Sequence, residues 1–406
     1  MERKAHMPTI VPDNYVYLDW AATAPLCEQA AASMAPYLAF GQANIACGMN
    51  ANSLHAPGRA AFEAMELARR QIAHDLGASR PNEVVFTSGA TEADNMAIIG
   101  IARAAAADRR KRTGGGFVPR IVTSAIEHDA VLAPARYLAR EGFDVVYVSP
   151  DKRGFITPDA LAAALDERTV LASVQMANSE VGAIQPIAQL AALAHEAGAL
   201  FHTDATQALG KVGLNVGALG VDAASFSSHK IGGPKGVGAL YLKARTPFKA
   251  LMLGGGQEDG RRSTTQNVCG IVGFAAACQA AVSSLDAESS RLSDLRDGLY
   301  ERIAAMKKIR ATVDVPPKSS DYLPNIVHAL ARGFESETLV LRLDMMGFGV
   351  SGGSACSSHS LEPSHVLRAM SISADDAYGA LRVSMGSLTT KDDIARFADA
   401  LESVLE

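Results

Sequence analysis

The stretch Ala223-Ala224-Ser225-Phe226-Ser227-Ser228-His229-Lys230-Ile231-Gly232-Gly233-Pro234-Lys235-Gly236 decides how the rest of the chain is read. Its small, apolar start reads as a buried strand, and Lys230 falls where that strand gives way to glycines. An amine flanked by hydroxyls and a histidine, with glycines that let backbone come close, suits a Schiff-base lysine beside a phosphate. Surface lysines are common and most do no chemistry, so the weight of Lys230 rests on its partners.

Working outward, similar short runs recur on either side. Val84 to Thr87, Ile121 to Ser124, Val145 to Ser149, Val170 to Gln175, Leu200 to Thr203 and Val237 to Leu242 join Ala223 to Ser227 as strands, separated by helical patterns. Arg59 to Leu76 places Phe62, Met65, Ile72 and Leu76 near one helical face and stops at Gly77; Ile187 to Ala197 stops likewise at Gly198. This alternation predicts an α/β fold built on a mainly parallel seven-stranded sheet. Beyond about residue 265 come longer helices (Ile271 to Ser283, Glu288 to Met306), strand candidates at Asn325 to Leu330 and Leu381 to Ser384, and a last helix, Lys391 to Leu405. The expected organisation is a large domain over 15–265 and a smaller α+β domain formed by 1–14 and 266–406.

Composition narrows the function classes. The chain has 406 residues, is 48% hydrophobic and carries a net charge of -5, so it can bury a large core and shows no basic footprint for nucleic acid or an anionic membrane. Arg109 to Arg112 closes an alanine-rich helix pattern and reads as a solvated helix end. Met1 to Asn14 holds no apolar core, so neither a signal peptide nor a membrane span is expected, and the cytoplasm is the expected compartment. Cys27, Cys47, Cys269, Cys278 and Cys356 lack metal-site spacing, so no metal is expected, and most read as buried apolar fillers.

In open α/β sheets ligands sit beyond the carboxyl ends of strands. There the chain offers Thr87-Ser88-Gly89-Ala90-Thr91-Glu92, a helix start suited to a phosphate; Glu127-His128, with an imidazole able to stack or move protons; Asn178-Ser179-Glu180; and Asp204-Ala205-Thr206-Gln207. Each has a bland explanation: a helix capped by Ser88 or Thr91, a satisfied polar histidine, an aspartate N-cap. A carboxylate closing an apolar strand is nevertheless costly without a partner, which the N–H of a pyridinium would supply. The interval from Asp204 to Lys230 holds one helix and one strand, so acid and amine return to the same edge. The cofactor that needs both a Schiff-base lysine and a phosphate cradle is pyridoxal phosphate.

These motifs, with Tyr17-Leu18-Asp19, Asn50-Ala51-Asn52-Ser53-Leu54-His55, Gly254-Gly255-Gly256-Gln257-Glu258 and Ser351-Gly352-Gly353-Ser354-Ala355-Cys356, resemble the cysteine desulfurase family over nearly the whole chain. That family is a branch of the fold-type I pyridoxal phosphate enzymes with the class V aminotransferase fold. The resemblance implies that Lys230 forms the Schiff base, Asp204 meets the pyridinium nitrogen, Gln207 contacts the ring oxygen and His128 stacks on the ring, with a secondary role in proton transfer. Ala90, Thr91, Ser227 and His229 would bind the phosphate, Thr265 would reach it from the second subunit of a homodimer, and Arg382 and Asn50 would meet the substrate carboxylate. Cys356, in a small and polar stretch about 351–363, would take the sulfur of L-cysteine as a persulfide, release L-alanine and pass the sulfur to an acceptor protein. An iron-sulfur scaffold or tRNA thiolation are among the implied destinations.

The chain departs from the family pattern at two of these motifs. Ser179 replaces a second asparagine, leaving Asn178 as the candidate for a ring-oxygen bond, and Ala51 replaces a proline. The end at Glu406 leaves no tail with which to grip a scaffold, so that destination is the less specified part of the expectation. Another class V enzyme, such as a selenocysteine lyase or aminotransferase, and more remotely a non-catalytic sulfur carrier, are the alternatives.

Overall fold

The computed structural model describes residues 11–12, 14–113, 116–353 and 363–406. Its strands, in chain order, are β1 (Val16–Tyr17), β2 (Val84–Thr87), β3 (Arg120–Ser124), β4 (Asp144–Val148), β5 (Thr169–Ser173), β6 (Leu200–Asp204), β7 (Ala223–Ser227), β8 (Gly238–Leu242), β9 (Ile309–Ala311), β10 (Ile326–Ala331), β11 (Phe348–Gly349) and β12 (Ala380–Ser384). The central sheet has seven strands in the order β2-β8-β7-β6-β5-β3-β4. From β7 to β4 all neighbours run parallel. β8 runs antiparallel to both β2 and β7. The carboxyl ends of β2, β3, β5, β6 and β7 therefore emerge at one edge, and β8 begins there, with Gly238 paired to Thr87 on one side and Ser227 on the other.

Every residue of β2, β5, β7 and β8 is buried, as expected for strands covered on both faces. Of the helices that cover them, Ala56–Asp75 shows the local logic. The His55 ring accepts from the Gly58 N–H at its start, a proline lies in its first turn, and Gly77 ends it at φ 69°. Its buried stripe is Ala61, Met65, Ala68 and Ile72. Phe62, expected on that face, is 51% exposed, because one residue past Ala61 turns it about 100° away.

The second layer is a three-stranded antiparallel sheet, β12-β10-β9. The helices Leu285–Ala305 and Lys391–Leu405 pack their leucines (Leu292, Leu295, Leu299, Leu401) and Phe397 into one cluster with it. Thr390 and Asp393 close a reciprocal capping box at the start of the last helix. The N-terminal residues Val16 and Leu18 belong to this cluster, and β1 pairs in parallel with β11. The chain then bridges from Asp19 to Ser384 and runs on toward Lys230. Among the described residues no single helix is long and apolar enough to cross a membrane.

Candidate active site

Where the strand ends converge lies a cavity of about 540 Å³, a size suited to a small molecule. Lys230 lines it from a short 3-10 turn, Ser228–Ile231, directly after β7. The turn closes at Gly232 with φ 80°, a left-handed conformation in which a Cβ would lie 3.2 Å from that of Cys27. The Lys230 amine donates to the carbonyls of Ala21 (2.6 Å) and Ala22 (2.8 Å), both in the segment that crosses over from β1.

At the end of β2, Gly89 (φ 157°, ψ 176°) turns the chain in a region that is essentially reserved for glycine. The helix Ala90–Asn95 begins there and continues through a π-helical stretch, Met96–Ile101, into Ala102–Thr113. Ser88 and Thr91 do not cap it: the N-cap is Gly89, with no side-chain cap hydrogen bond among the described residues. Glu92 instead receives the Ser88 N–H (2.6 Å) and pairs with both ends of the Arg262 fork (2.7 and 2.9 Å). Burial pushes Glu92 up, but these bonds outweigh it and leave its carboxyl below the usual range. Its charge is thus matched by Arg262, and Ala90, Thr91, Ser227 and His229 line the cavity beside it. Burial, then Lys230, Lys235 and Lys211, lower His229 to about 4, so its ring is neutral at pH 7; Nδ1 lies 3.0 Å from Thr23 Oγ1.

His128 also lines the cavity. Its Nδ1 accepts the Ala130 N–H (3.1 Å) at the start of the helix Asp129–Arg140, so the neutral ring carries its proton on Nε2. Asp204 ends β6, buried, with Oδ1 accepting the Thr206 N–H at 2.9 Å. Asp94 and Glu127 lie nearby, both fully buried. Burial, with Asp204 adding repulsion, raises Asp94 well above its ordinary value. Burial likewise raises Glu127 to about 8 despite hydrogen bonds from Ser124 and the Gln175 N–H. Glu127 is therefore mostly protonated at pH 7, and burial disfavours the charged form of Asp94 as well.

Arg382, on β12, is 1% exposed and lines the cavity. Its Nη1 donates to the Ser179 carbonyl (3.0 Å) and its Nη2 to Asp19 Oδ1 (2.7 Å), while Nε, buried, bonds nothing among the described residues. Gln207 lines the cavity as well, donating through Nε2 to the Ala21 carbonyl at 2.9 Å.

Three expected residues stand elsewhere. The Asn178 amide is spent on backbone, with Oδ1 accepting from Glu180 and Val181 and Nδ2 donating to Ile126; Ser179 is the member of that motif that lines the cavity. Asn50 and Thr265 are both exposed and neither lines the cavity, though Asn52, which bonds Asn50, also bonds Gln266 at 2.9 Å. Cys356 lies outside the described residues. Of the four described cysteines only Cys278 is buried, against the expectation of mostly buried fillers. The sequence reading missed Asp19 and Lys211; Asp19 stood in a quoted motif, and Lys211 follows Gln207 by one helical turn.

A mainly parallel sheet that gathers a lysine, a buried aspartate and an uncapped helix start at its carboxyl edge defines the fold-type I architecture. Within that class, the chain belongs to the family described as Aminotransferase class-V, whose sequence model matches residues 16–397. A protein named cysteine desulfurase IscS from Dictyoglomus turgidum is 42% identical over 393 residues, 96% of this chain and 94% of that one. A solved structure described as a NifS-like protein superposes with a TM-score of 0.85 at 34% identity, covering 96% of this chain and 99% of that one. A third, described as SspA in complex with cysteine, gives 0.75 at 31% identity over 91% of this chain and 98% of that one.

Proposed function

We propose that this chain is a cysteine desulfurase that holds pyridoxal 5'-phosphate on Lys230, converts L-cysteine to L-alanine and passes the sulfur through Cys356 to an acceptor protein. The observation that carries this reading is the convergence of Lys230, Asp204, the uncapped helix start at Ala90 and Arg382 on one cavity. The residues fit the cofactor. A Cβ at Gly89 would meet nothing nearer than Ser227 Oγ at 3.9 Å, so backbone is open where a phosphate needs N–H groups, and the buried Thr206 hydroxyl has no partner among the described residues. Bound there, pyridoxal phosphate would supply an electron sink for a substrate carbanion.

The chain's own groups divide the remaining work. Asp204 would receive the pyridinium N–H, and Ala90, Thr91, Ser227 and His229 the phosphate. His128 would lie against the ring with Nε2–H available for a proton transfer. Arg382 would clamp the substrate carboxylate through a fork that now pairs with Asp19. Lys230, once released from the cofactor, would take the α-proton of the substrate on Nζ. The Cys356 thiolate then attacks the substrate sulfur: the new S–S bond forms as the C–S bond breaks, its electron pair stays with the carbon skeleton, and protonation of that carbon yields alanine. A thiol of the acceptor, such as an iron-sulfur scaffold protein, takes the outer sulfur from the persulfide.

The same reading takes the working unit as a cytoplasmic homodimer. Phe40, Leu38, Leu54 and Leu253 are large apolar residues left exposed, and a second copy would cover them and bring Thr265 to the neighbouring phosphate. It keeps the division into 15–265 and 266–406 with 1–14, with Val16 and Leu18 packed into the cluster of the smaller unit. The test is direct: purified protein with pyridoxal phosphate, L-cysteine and a thiol reductant should release alanine and sulfide in equal amounts, and Cys356→Ala should bind the cofactor but lose both products. Sulfide release undiminished in Cys356→Ala removes the persulfide route.

A further inference from the structure

Lys211 is a lysine near the site that the reaction above does not use. Its amine donates to Gln207 Oε1 at 3.0 Å, and among the described residues it forms no ion pair. Burial pulls it down to about 7, and the positive charges of Lys230 and Arg382 pull in the same direction. A partly buried lysine with no carboxylate beside it among the described residues is costly to hold, and its hydrogen-bond partner shares the Ala21 carbonyl with Lys230. The Gln207 amide links the two: Oε1 accepts from Lys211, and Nε2 donates to the Ala21 carbonyl, which also receives the Lys230 amine at 2.6 Å.

That chain settles which way the amide faces. A flipped Gln207 would set its NH2 against the Lys211 amine and its oxygen against the Ala21 carbonyl, losing two hydrogen bonds at once. Without Lys211 only the Ala21 bond would oppose the flip. One amide hydrogen is used on Ala21, so the second is left for an acceptor in the cavity that Gln207 lines.

We propose that Lys211 is a positioning residue that locks the Gln207 amide with its NH2 toward Ala21 and the cavity, so that the donor stands ready for the ring oxygen of a pyridoxal held by Lys230. The inference rests on the pyridoxal reading of the site. A donor at that oxygen, backed by a cation, disfavours protonation of the nearby Schiff-base nitrogen. Losing either one therefore raises the pH at which the visible absorption of the bound cofactor titrates.

The experiment loads the full-length protein with pyridoxal phosphate and follows its visible absorption against pH for wild type, Lys211→Met, Lys211→Arg, Gln207→Leu and the Lys211→Met/Gln207→Leu double variant. Lys211→Met should raise the midpoint by about half a pH unit or more. Lys211→Arg should stay near wild type. In the Gln207→Leu background the Lys211→Met change should shrink to less than half its size, because the amide it positions is gone. A wild-type midpoint in Lys211→Met, or an equal shift in both backgrounds, overturns the proposal, since the second result is a direct field effect without positioning. Gln207→Glu provides a variant in which the new carboxylate pairs with Lys211 and folding does not hinge on a lost cation. Its midpoint should rise too, and an unchanged midpoint overturns the proposal even if Lys211→Met fails to fold. A wild-type protein that takes up no pyridoxal phosphate sinks the cofactor reading itself and is distinguished by its lack of colour.

Discussion

Strand β2 lies at the edge of the central sheet, and two side chains stand in for the missing neighbour. Arg69 Nη1 donates to the Val84 carbonyl (2.6 Å), and Glu258 Oε2 accepts the Phe86 N–H (3.0 Å). The two also pair with each other through both guanidinium nitrogens, at 2.7 and 3.0 Å, and the guanidinium lies 4.5 Å from the Phe86 ring centre. This brace holds the strand whose end forms the Gly89 turn. Arg69→Met removes it. The Glu258 side chain, 1% exposed, would keep its charge with no cation, and the Val84 carbonyl would lose its donor. Breaking a buried pair in this way costs about 3–5 kcal/mol. Replacing both partners, as in Arg69→Met/Glu258→Met, removes the stranded charge and leaves two unpaired backbone groups, so roughly half of the loss should return. Urea unfolding followed through Trp20, the sole tryptophan, measures the cost, and amide hydrogen exchange at Phe86 reports whether the loss is local to β2. A single-variant cost below about 1 kcal/mol, or a double variant no more stable than the single, refutes the argument that the pair substitutes for a strand.

Further outcomes follow from individual contacts. The folded chain holds a proton on Glu127 up to about 8, whereas the unfolded carboxyl releases it near its ordinary value of 4.5. Its contribution to stability is therefore complete below that value and is lost as pH rises through 8; Glu127→Gln should flatten this part of the profile in denaturant titrations across pH 5–8. At Gly238 an added Cβ would come within 2.5 Å of the Phe226 carbonyl and 2.8 Å of Gly89, so Gly238→Ala should cost about 1–3 kcal/mol in thermal or urea unfolding and weaken cofactor uptake together with it. Arg382→Lys cannot keep both the Ser179 and Asp19 bonds and offer a fork to substrate; KM for L-cysteine should rise roughly ten- to a hundredfold while bound-cofactor absorption stays unchanged.

What the sequence disclosed and what it withheld divide along the range of the interactions. Strand positions were legible because each run is short, apolar and bounded by turn residues, and Ala223 to Ser227 matches β7 residue for residue. The direction of β8 was not, since a strand buried on both faces reads the same either way. Ser88 and Thr91 are good capping residues by type, yet Glu92 bonds the Ser88 N–H after Arg262, far along the chain, has fixed its carboxylate. Nothing local to residue 88 announces that contact. Asn178 is similar: its type suits a ring contact, but the turn that follows consumes its oxygen twice.

The same division explains why Asp19 was quoted without a role. Its value comes from a register, in which Asp19 bridges to Ser384 two residues beyond Arg382, so a carboxylate from the amino-terminal segment meets a guanidinium from β12 at 2.7 Å. Two residues further, Ala21 presents one carbonyl to Gln207 and Lys230, and Ala22 a second to Lys230. The four residues Asp19 to Ala22 thus tie Arg382 of the small sheet to Lys230 of the large one. Backbone carbonyls carry no residue signature, so this tie is invisible in the alanines that make it. It follows that substitutions at Ala21 and Ala22 that spare the backbone should be tolerated in the Lys230 contacts, whereas a proline there, which shifts the chain path, should disturb both ends of the site together.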